Sequence, residues 1–140
     1  GIDPACLTLE ITESILMQNR EHILQQLQEL KKANFALHLD DFGTGYSSLA
    51  YLHSFPIDAL KIDRSFVARI GAGGRDHEIV RSIVALAQSL KMEITAEGVE
   101  KQEQLKVLQG LGCTAAQGYL FSRPLPPDEA TGLLLKHGQG

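Results

Sequence analysis

The sequence predicts an α/β fold in the form of a partial TIM-type (β/α)₈ barrel that holds about five βα units. Short β-type runs alternate with amphipathic helical stretches, which is typical of parallel strands connected by helices. Each predicted strand has one apolar face and one polar face, whereas a doubly wound sheet is apolar on both faces. The polar groups lie near the C-terminal ends of the strands, where barrel enzymes place their functional residues.

The predicted strands are short runs, in chain order Cys6–Thr12, Ala36–Phe42, Ala59–Asp63, Glu93–Val99 and Ala115–Tyr119. Successive side chains of a strand point to opposite faces of the sheet. In the first run, Leu9 and Ile11 therefore share one face and Glu10 lies on the other. The same alternation separates apolar from polar side chains in the later runs, so the polar ones converge on the barrel mouth.

The predicted helices connect these strands. Ile23, Leu27 and Leu30 recur at the spacing of a helix that buries one face. A glycine-rich loop, Gly71–Gly74, precedes the next helical pattern. Further helices are predicted from Asp76 to Leu90, around Leu105–Leu108, after Pro126-Pro127-Asp128 and, as a short segment, near Ser47–Leu52.

The composition limits the class of function. The chain has 140 residues, 44% of them apolar, and a net charge of −4, which suits one globular domain or a large piece of one. No basic run offers a footprint for a nucleic-acid polymer or an anionic membrane. The apolar runs are far shorter than the ~20 residues that span a bilayer. Cys6 and Cys113 form no CxxC pair, and we expect buried free thiols in a reducing, cytoplasmic compartment.

Four carboxylates, Glu10, Asp40, Asp41 and Glu97, stand at the ends of three predicted strands. Brought together, these groups would repel one another unless cations lay among them. Oxygen ligands favour Mg²⁺ or Mn²⁺ over zinc. Two such ions about 3.5–4 Å apart can hold the attacking and leaving oxygens of a phosphoryl displacement. The pattern therefore favours a metal-dependent phosphoryl-transfer site.

Lys61 and Asp63 share one face of the third predicted strand. Lys61 would supply a positive charge for a phosphate oxygen or for the attacking water. Asp63 would either orient Lys61 or take a proton from water. Glu13 falls just beyond the first strand, where a role in organising a loop is favoured over metal ligation. The Gly43–Ser48 segment permits a tight turn but is not a nucleotide P-loop, because no GK[ST] follows it.

Several segments, in order and spacing, together resemble the EAL domain family. They are Glu10–Glu13 (EITE), Asp40–Leu49 (DDFGTGYSSL), Lys61–Phe66 (KIDRSF), Ala96–Glu100 (AEGVE) and Gln117–Pro124 (QGYLFSRP). The family linearises the bacterial second messenger cyclic di-GMP to pGpG with Mg²⁺ or Mn²⁺. The combination is highly specific and covers essentially the whole chain.

The resemblance implies a role for each matching residue. Glu10, Asp40, Asp41 and Glu97 would be metal ligands, as the family's pattern has them. The same resemblance implies that Lys61 and Asp63 act around the water, that Gln117 and Asp41 bind substrate, and that Glu13 supports the Asp40–Leu49 loop. The segment after that loop would contribute to a homodimer.

The sequence departs from the family at its N-terminal side, since it lacks the Glu-Ala-Leu signature and a strand with an Asn ligand. A full barrel takes about 250 residues. We therefore expect residues 1–140 to form the C-terminal portion of one EAL domain, inactive alone, with open sheet edges covered in a homodimer. Two alternatives stay open. One is a non-catalytic cyclic di-GMP receptor or protein-interaction module, and the other is a truncated piece without independent function.

Overall fold

A computed structural model of the chain describes residues 1–16, 18–43, 52–72 and 74–137. All of its strands belong to one parallel sheet whose spatial order follows the chain. The strands are β1 (Thr8–Thr12), β2 (Ala36–Phe42), β3 (Ala59–Ile62), β4 (Glu93–Ala96) and β5 (Ala115–Ala116). This sequential parallel order is the arrangement expected of consecutive βα units of a barrel.

The longer helices follow the predicted pattern, whereas two described helices of four residues each were not predicted. Their bounds are α1 (Glu13–Leu16), α2 (Arg20–Lys32), α3 (Arg64–Val67), α4 (Arg75–Ser89), α5 (Gln102–Leu111) and α6 (Pro127–His137). The apolar stripe of α4 includes Val80, Ile83 and Ala87, which are buried in the core. Gly112, with φ of 96°, ends α5 in the left-handed conformation that glycine adopts without strain.

The core lies between the helices and the apolar face of the sheet. Leu37, Leu39, Leu60 and Ile94 are fully buried or nearly so and belong to the same apolar cluster as the stripe of α4. Because strand side chains alternate, this packing turns the intervening polar side chains to the opposite face. The predicted division between an apolar and a polar face is therefore confirmed for the central strands.

Asp58 connects α2, β2 and the start of β3 through an ion pair with Lys31 and a hydrogen bond from Leu37. Asp58, just before β3, accepts from Lys31 Nζ at 2.7 Å with each carboxylate oxygen. Its Oδ2 also accepts from Leu37 N at 2.8 Å. This arrangement lies at the edge of the sheet opposite to the strand C-termini.

Several predicted strand ends leave the sheet earlier than expected. Asp63 follows β3 and caps α3, because its side chain accepts a hydrogen bond from Ser65 N at 2.9 Å. The first strand begins later than predicted, at Thr8, because Cys6 lies in a short 3₁₀ turn, Pro4–Cys6, that the proline favours.

The expectation of two buried thiols is wrong for Cys6, which is exposed, while Cys113 is partly buried. Burial raises the pKa of the Cys113 thiol to about 11. The short helix predicted near Ser47–Leu52 lies, apart from Leu52, outside the described residues. Within the described ranges, no helix has both the length and the apolar character needed to span a bilayer.

Candidate active site

Lys61 lies at the centre of three carboxylates. Its Nζ donates a hydrogen bond to Glu10 Oε1 at 2.5 Å. The same Nζ lies 2.7 Å from Glu97 Oε1 and 3.3 Å from Asp40 Oδ1. The predicted convergence of Glu10, Asp40 and Glu97 is thus seen directly, with an ammonium group as the shared partner.

Four neighbouring strands place these side chains. Glu10, Asp40 and Lys61 lie in β1, β2 and β3, and Glu97 follows the last residue of β4. In a parallel sheet the C-terminal ends of all strands meet at one edge, so residues far apart in sequence become neighbours there. The cluster is buried at Lys61, whose side chain is 5% exposed, and opens to solvent at Glu10, which is 50% exposed.

The environment keeps Lys61 charged. Burial alone would lower the pKa of Lys61, but hydrogen bonds with Glu10 and Glu97, the charge of Glu97 and a hydrogen bond with Asp40 outweigh it and raise the pKa well above its ordinary value. The side chain is therefore an ammonium ion at neutral pH. Such a group can stabilise negative charge on an oxygen but cannot act as a base.

Gln117 extends the cluster to the fifth strand. It follows β5 and donates from Nε2 to Glu97 Oε1 at 2.7 Å. Glu97 and Gln117 also line a cavity of about 430 Å³ beside the cluster. In that cavity the guanidinium of Arg123 lies 4.6 Å from the centre of the Tyr119 ring. Arg64 lines the cavity as well. The cavity therefore presents cationic and aromatic side chains next to the carboxylates.

Asp40 and Asp41 take different environments. Asp40 is partly buried among the cluster, whereas Asp41 is exposed and has a left-handed backbone with φ of 55°. The pairing of β2 with β3 shifts register between Leu39 and Phe42, and such an irregularity re-aims the side chains around it. The two carboxylates therefore face different surroundings, which leaves the predicted ligand role of each open to test.

Glu13 is the first residue of α1 and only 6% exposed. Among the residues that the structure describes, neither of its buried carboxylate oxygens has a hydrogen-bond partner. A buried carboxylate that lacks partners is costly, so its position calls for an explanation other than packing. Its place just beyond β1 agrees with the predicted role in organising a loop, but the Thr44–Leu49 part of that loop lies outside the described residues.

Of the two roles open to Asp63, the orientation of Lys61 is not seen in the described residues. Lys61 pairs with Glu10, Asp40 and Glu97, whereas Asp63 caps α3. Burial by itself would raise the pKa of Asp63, but hydrogen bonds from Ser65 and the neighbouring backbone hold it below its ordinary value. The chain turns into α3 directly after Ile62, and this turn aims the carboxylate at the helix rather than at Lys61.

The carboxylate oxygens are of the ligand type that a hard divalent cation prefers, but the side chains are not close enough together to hold one. Across the described ranges, no group of three or more His, Cys, Asp or Glu side chains is close enough to hold a metal directly. The oxygens stand 2.5–3.3 Å from the central ammonium, whereas Mg²⁺ holds oxygens at about 2.0–2.1 Å. In the described residues the ammonium of Lys61, and no metal, is the shared partner of Glu10, Asp40 and Glu97, and these carboxylates would hold a divalent cation when one is bound.

Sequence reasoning missed the residues that fix the loops around the cluster. Gln104 is buried in α5 and hydrogen-bonded to the segment after Glu97 and to the end of α3. Gly98 is needed because a Cβ there would lie 2.6 Å from Arg64 Cβ, and Gly118 because a Cβ would lie 2.2 Å from Val99 O. A glutamine at the third position of a helix is a weak capping signal, and the glycine contacts have no signal in a single sequence.

The fold and site define a barrel-type α/β protein with an acidic centre at the C-terminal ends of its strands. The family model of the EAL domain matches residues 1–124. The cyclic di-GMP phosphodiesterase NbdA of Pseudomonas aeruginosa is 51% identical over 126 residues, which are 90% of this chain and 16% of that protein. The chain belongs to the EAL domain family.

Two solved structures extend this similarity. The PaMucR phosphodiesterase in complex with c-di-GMP superposes with a TM-score of 0.88 at 43% identity, covering 92% of this chain and 52% of that one. Klebsiella pneumoniae BlrP1 in complex with manganese and cy-diGMP superposes with a TM-score of 0.80 at 37% identity, covering 89% and 32%. The chain therefore spans about half of the PaMucR chain and a smaller part of NbdA.

Proposed function

We propose that residues 1–140 are the C-terminal portion of one EAL phosphodiesterase domain, and that this domain hydrolyses cyclic di-GMP to linear pGpG. The observation that carries the proposal is the meeting of Glu10, Asp40 and Glu97 around Lys61 at the strand ends. The named activity of NbdA and the c-di-GMP in the PaMucR structure support the choice of substrate.

The reaction opens the ring of the substrate at one phosphodiester. Oxygen of a water molecule bonds to phosphorus, one phosphorus–ester oxygen bond breaks, and the leaving oxygen takes up a proton. In the proposal, Glu10, Asp40, Asp41 and Glu97 hold Mg²⁺ or Mn²⁺, which supplies Lewis-acid stabilisation when bound. Manganese in the BlrP1 complex supports a divalent ion.

The residues of the chain supply positioning and charge. Lys61 is an ammonium ion, and in the proposal it donates a hydrogen bond to a phosphate oxygen or to the attacking water. Asp63 is proposed as the group that accepts a proton from that water, Gln117 and Asp41 as substrate-binding residues, and Glu13 as a support of the Asp40–Leu49 loop.

The cavity beside Gln117 is a suitable place for a guanine base of the substrate. Arg123 and Tyr119 offer a flat cationic and aromatic surface on which a base can stack. Arginine also matches the O6 and N7 acceptors of guanine with two hydrogen bonds, and Arg64 is available in the same cavity. A cytoplasmic location and a homodimer complete the proposal.

The test is hydrolysis of cyclic di-GMP by a polypeptide that carries this chain together with the rest of its barrel. We expect pGpG to form with Mg²⁺ or Mn²⁺ and formation to stop after chelation. Glu97→Gln should lower kcat by about 10²–10³-fold, the range for losing one electrostatic stabiliser. Lys31→Met, at the opposite edge of the sheet, should leave kcat unchanged. Tight binding of cyclic di-GMP without any turnover would instead indicate a receptor.

The 140-residue chain by itself should turn over far more slowly than that longer polypeptide. The sheet formed by the described residues has five strands, whereas a closed barrel has more and brings further residues to the mouth. Equal rates for the two proteins would contradict the proposal that the rest of the barrel supplies essential groups.

A further inference from the structure

Gln104 is a buried polar side chain whose amide makes three hydrogen bonds to backbone groups. Its Oε1 accepts hydrogen bonds from Glu100 N and Lys101 N, both at 2.9 Å. Its Nε2 donates to Val67 O at 3.1 Å. The side chain is 5% exposed, so water does not compete for these hydrogen bonds.

These hydrogen bonds join the segment after β4 to the helix after β3. Glu100 and Lys101 lie in the segment that follows Glu97, and Val67 ends α3, the helix that Asp63 caps. Gln104 therefore connects the chain leaving β4 to the helix that follows β3. The same two segments touch where a Cβ on Gly98 would lie 2.6 Å from Arg64 Cβ, so little room exists for sliding.

We propose that Gln104 is a positioning residue that fixes Glu97 against Lys61 and Gln117. The oxygen Oε1 of Glu97 is 2.7 Å from Lys61 Nζ and 2.7 Å from Gln117 Nε2. The contact with Lys61 depends on where the Glu97–Lys101 segment stands relative to β3, and the contact with Gln117 depends on where that segment stands relative to the chain after β5. The consequence for catalysis rests on the proposed function, whereas the consequence for the Glu97 contacts does not.

A purely structural role would look different. As a cap of α5, Gln104 would need only the oxygen that Glu100 N and Lys101 N share. The donor side of the amide, Nε2 to Val67 O, adds nothing to the cap and instead ties α5 to α3. The two functions can be separated because a carboxylate keeps the acceptor oxygen but has no proton to donate at neutral pH.

The test uses two substitutions of Gln104 and a matched control. Gln104→Leu removes all three hydrogen bonds. Gln104→Glu keeps the cap of α5, whose N-terminus favours negative charge, but sets a carboxylate against Val67 O. Asp58→Ala is the control, because it also removes three hydrogen bonds but at the opposite edge of the sheet.

Two readouts distinguish positioning from stability. In the 140-residue chain, the side-chain NH₂ resonances of Gln117 report its hydrogen bond to Glu97. In the longer polypeptide with the complete barrel, kcat and KM for cyclic di-GMP are measured per folded molecule. We expect both Gln104 variants to shift the Gln117 resonances and to lower kcat by about 10²-fold, the effect of a displacement near 1 Å. KM should change little, and Asp58→Ala should lose stability only.

The outcomes are distinct. Unchanged Gln117 resonances in Gln104→Glu, together with wild-type kcat, would overturn the proposal and leave Gln104 as a helix cap. If the wild-type polypeptide does not hydrolyse cyclic di-GMP at all, the proposed function fails, while the Gln117 resonances still decide whether Gln104 positions Glu97. If Gln104→Leu does not fold, Gln104→Glu carries the test alone.

Discussion

Lys61 and Glu97 meet at 2.7 Å between Nζ and Oε1, which joins the end of β3 to the segment after β4. The same oxygen of Glu97 accepts a hydrogen bond from Gln117, so a single carboxylate links the last three strands of the sheet. Glu10 and Asp40 complete the connection to β1 and β2 through the same ammonium. The site is thus one charge network, and changes at its centre should be felt across the sheet.

Replacing Lys61 with methionine should destabilise the metal-free chain and make it depend on divalent cations. Three carboxylates would then face one another without a counter-charge. The loss should be of order 2 kcal/mol in unfolding free energy, below the about 3–5 kcal/mol for a fully buried pair, because Glu10 is half exposed. Denaturant unfolding with and without Mn²⁺ measures it.

Lys31→Met serves as the control for Lys61→Met, since it removes an ion pair with Asp58 far from the carboxylates. Mn²⁺ should restore more stability to Lys61→Met than to wild type, because no ammonium competes for the oxygens. Mn²⁺ should stabilise Lys31→Met only as much as it stabilises the wild type. An equal response to Mn²⁺ in all three proteins would show that Lys61 and the metal do not share ligands.

Asp63 should make the stability of the chain depend on acid pH. Its pKa is held below the ordinary value of 3.8 in the folded state, mainly because Ser65 stabilises the ionised form against the effect of burial. Its contribution is therefore present above that value and is lost as pH falls through the lower, folded-state pKa. Asp63→Ala should cost about 0.5–2 kcal/mol at neutral pH, the range for losing an N-cap.

Asp63→Asn separates the cap from the charge. Asparagine keeps an oxygen for Ser65 N but does not titrate, so its stability difference from Asp63→Ala should be independent of pH. The difference between wild type and Asp63→Ala should shrink below pH 3.8. Unfolding free energies from pH 2 to 7 give the comparison, and a gap between those two proteins that widens in acid would contradict the assignment.

The sequence alone predicts the strand order and the placement of Glu10, Asp40 and Glu97, because both follow from short-range patterns. The alternation of side chains along each strand determines which face of the sheet each residue lies on. The parallel βα arrangement brings the C-terminal ends of the strands together. The partners within the site follow from distances between remote segments. That Lys61 is shared by three carboxylates, or that Asp63 turns away to cap α3, depends on where each strand stops.

Cys6 and Gln104 show that the burial of a residue does not follow from its type alone, since Cys6 is exposed and Gln104 is buried. The apolar neighbours of Cys6 favour burial, but a short 3₁₀ turn leaves its thiol exposed. Gln104 is of a residue type that is usually exposed, but it is buried because backbone groups of the segment after Glu97 and of α3 form hydrogen bonds with it. Single-residue tendencies fail in both cases because the local backbone decides the outcome.

Gly118 should tolerate no side chain. A Cβ at this position would lie 2.2 Å from Val99 O and 2.3 Å from Val99 N, and backbone atoms cannot yield as a flexible side chain would. Gly118→Ala should therefore move Gln117 away from Glu97 and destabilise the chain by more than the about 1–3 kcal/mol typical of overpacking. Gly110→Ala is the matched control, since a Cβ there meets nothing within 4 Å.

Because Gly110 lies inside α5, its replacement with alanine should stabilise the chain by about 0.5–1 kcal/mol. Thermal unfolding of the two variants gives the comparison. Gly118→Ala with wild-type stability and an unchanged Gln117 resonance would show that the segment after β5 is free to move away from Val99.

The last prediction is that the chain associates with itself. The sheet ends in β1 on one side and β5 on the other, and such edges present unpaired backbone groups to a partner. Large apolar side chains lie exposed near them and on α6, with Phe121 53%, Leu134 72% and Leu135 67% exposed. Exposed apolar surface beyond a few hundred Å² usually marks an interface, and the simplest assembly is a twofold dimer. Sedimentation at micromolar concentrations should therefore show a mass that rises with concentration.

Leu134→Glu should weaken the association, whereas Gln28→Glu, an equal charge change on the exposed face of α2, should not. A well-folded monomer at every concentration would rule out association and show that these apolar groups tolerate exposure.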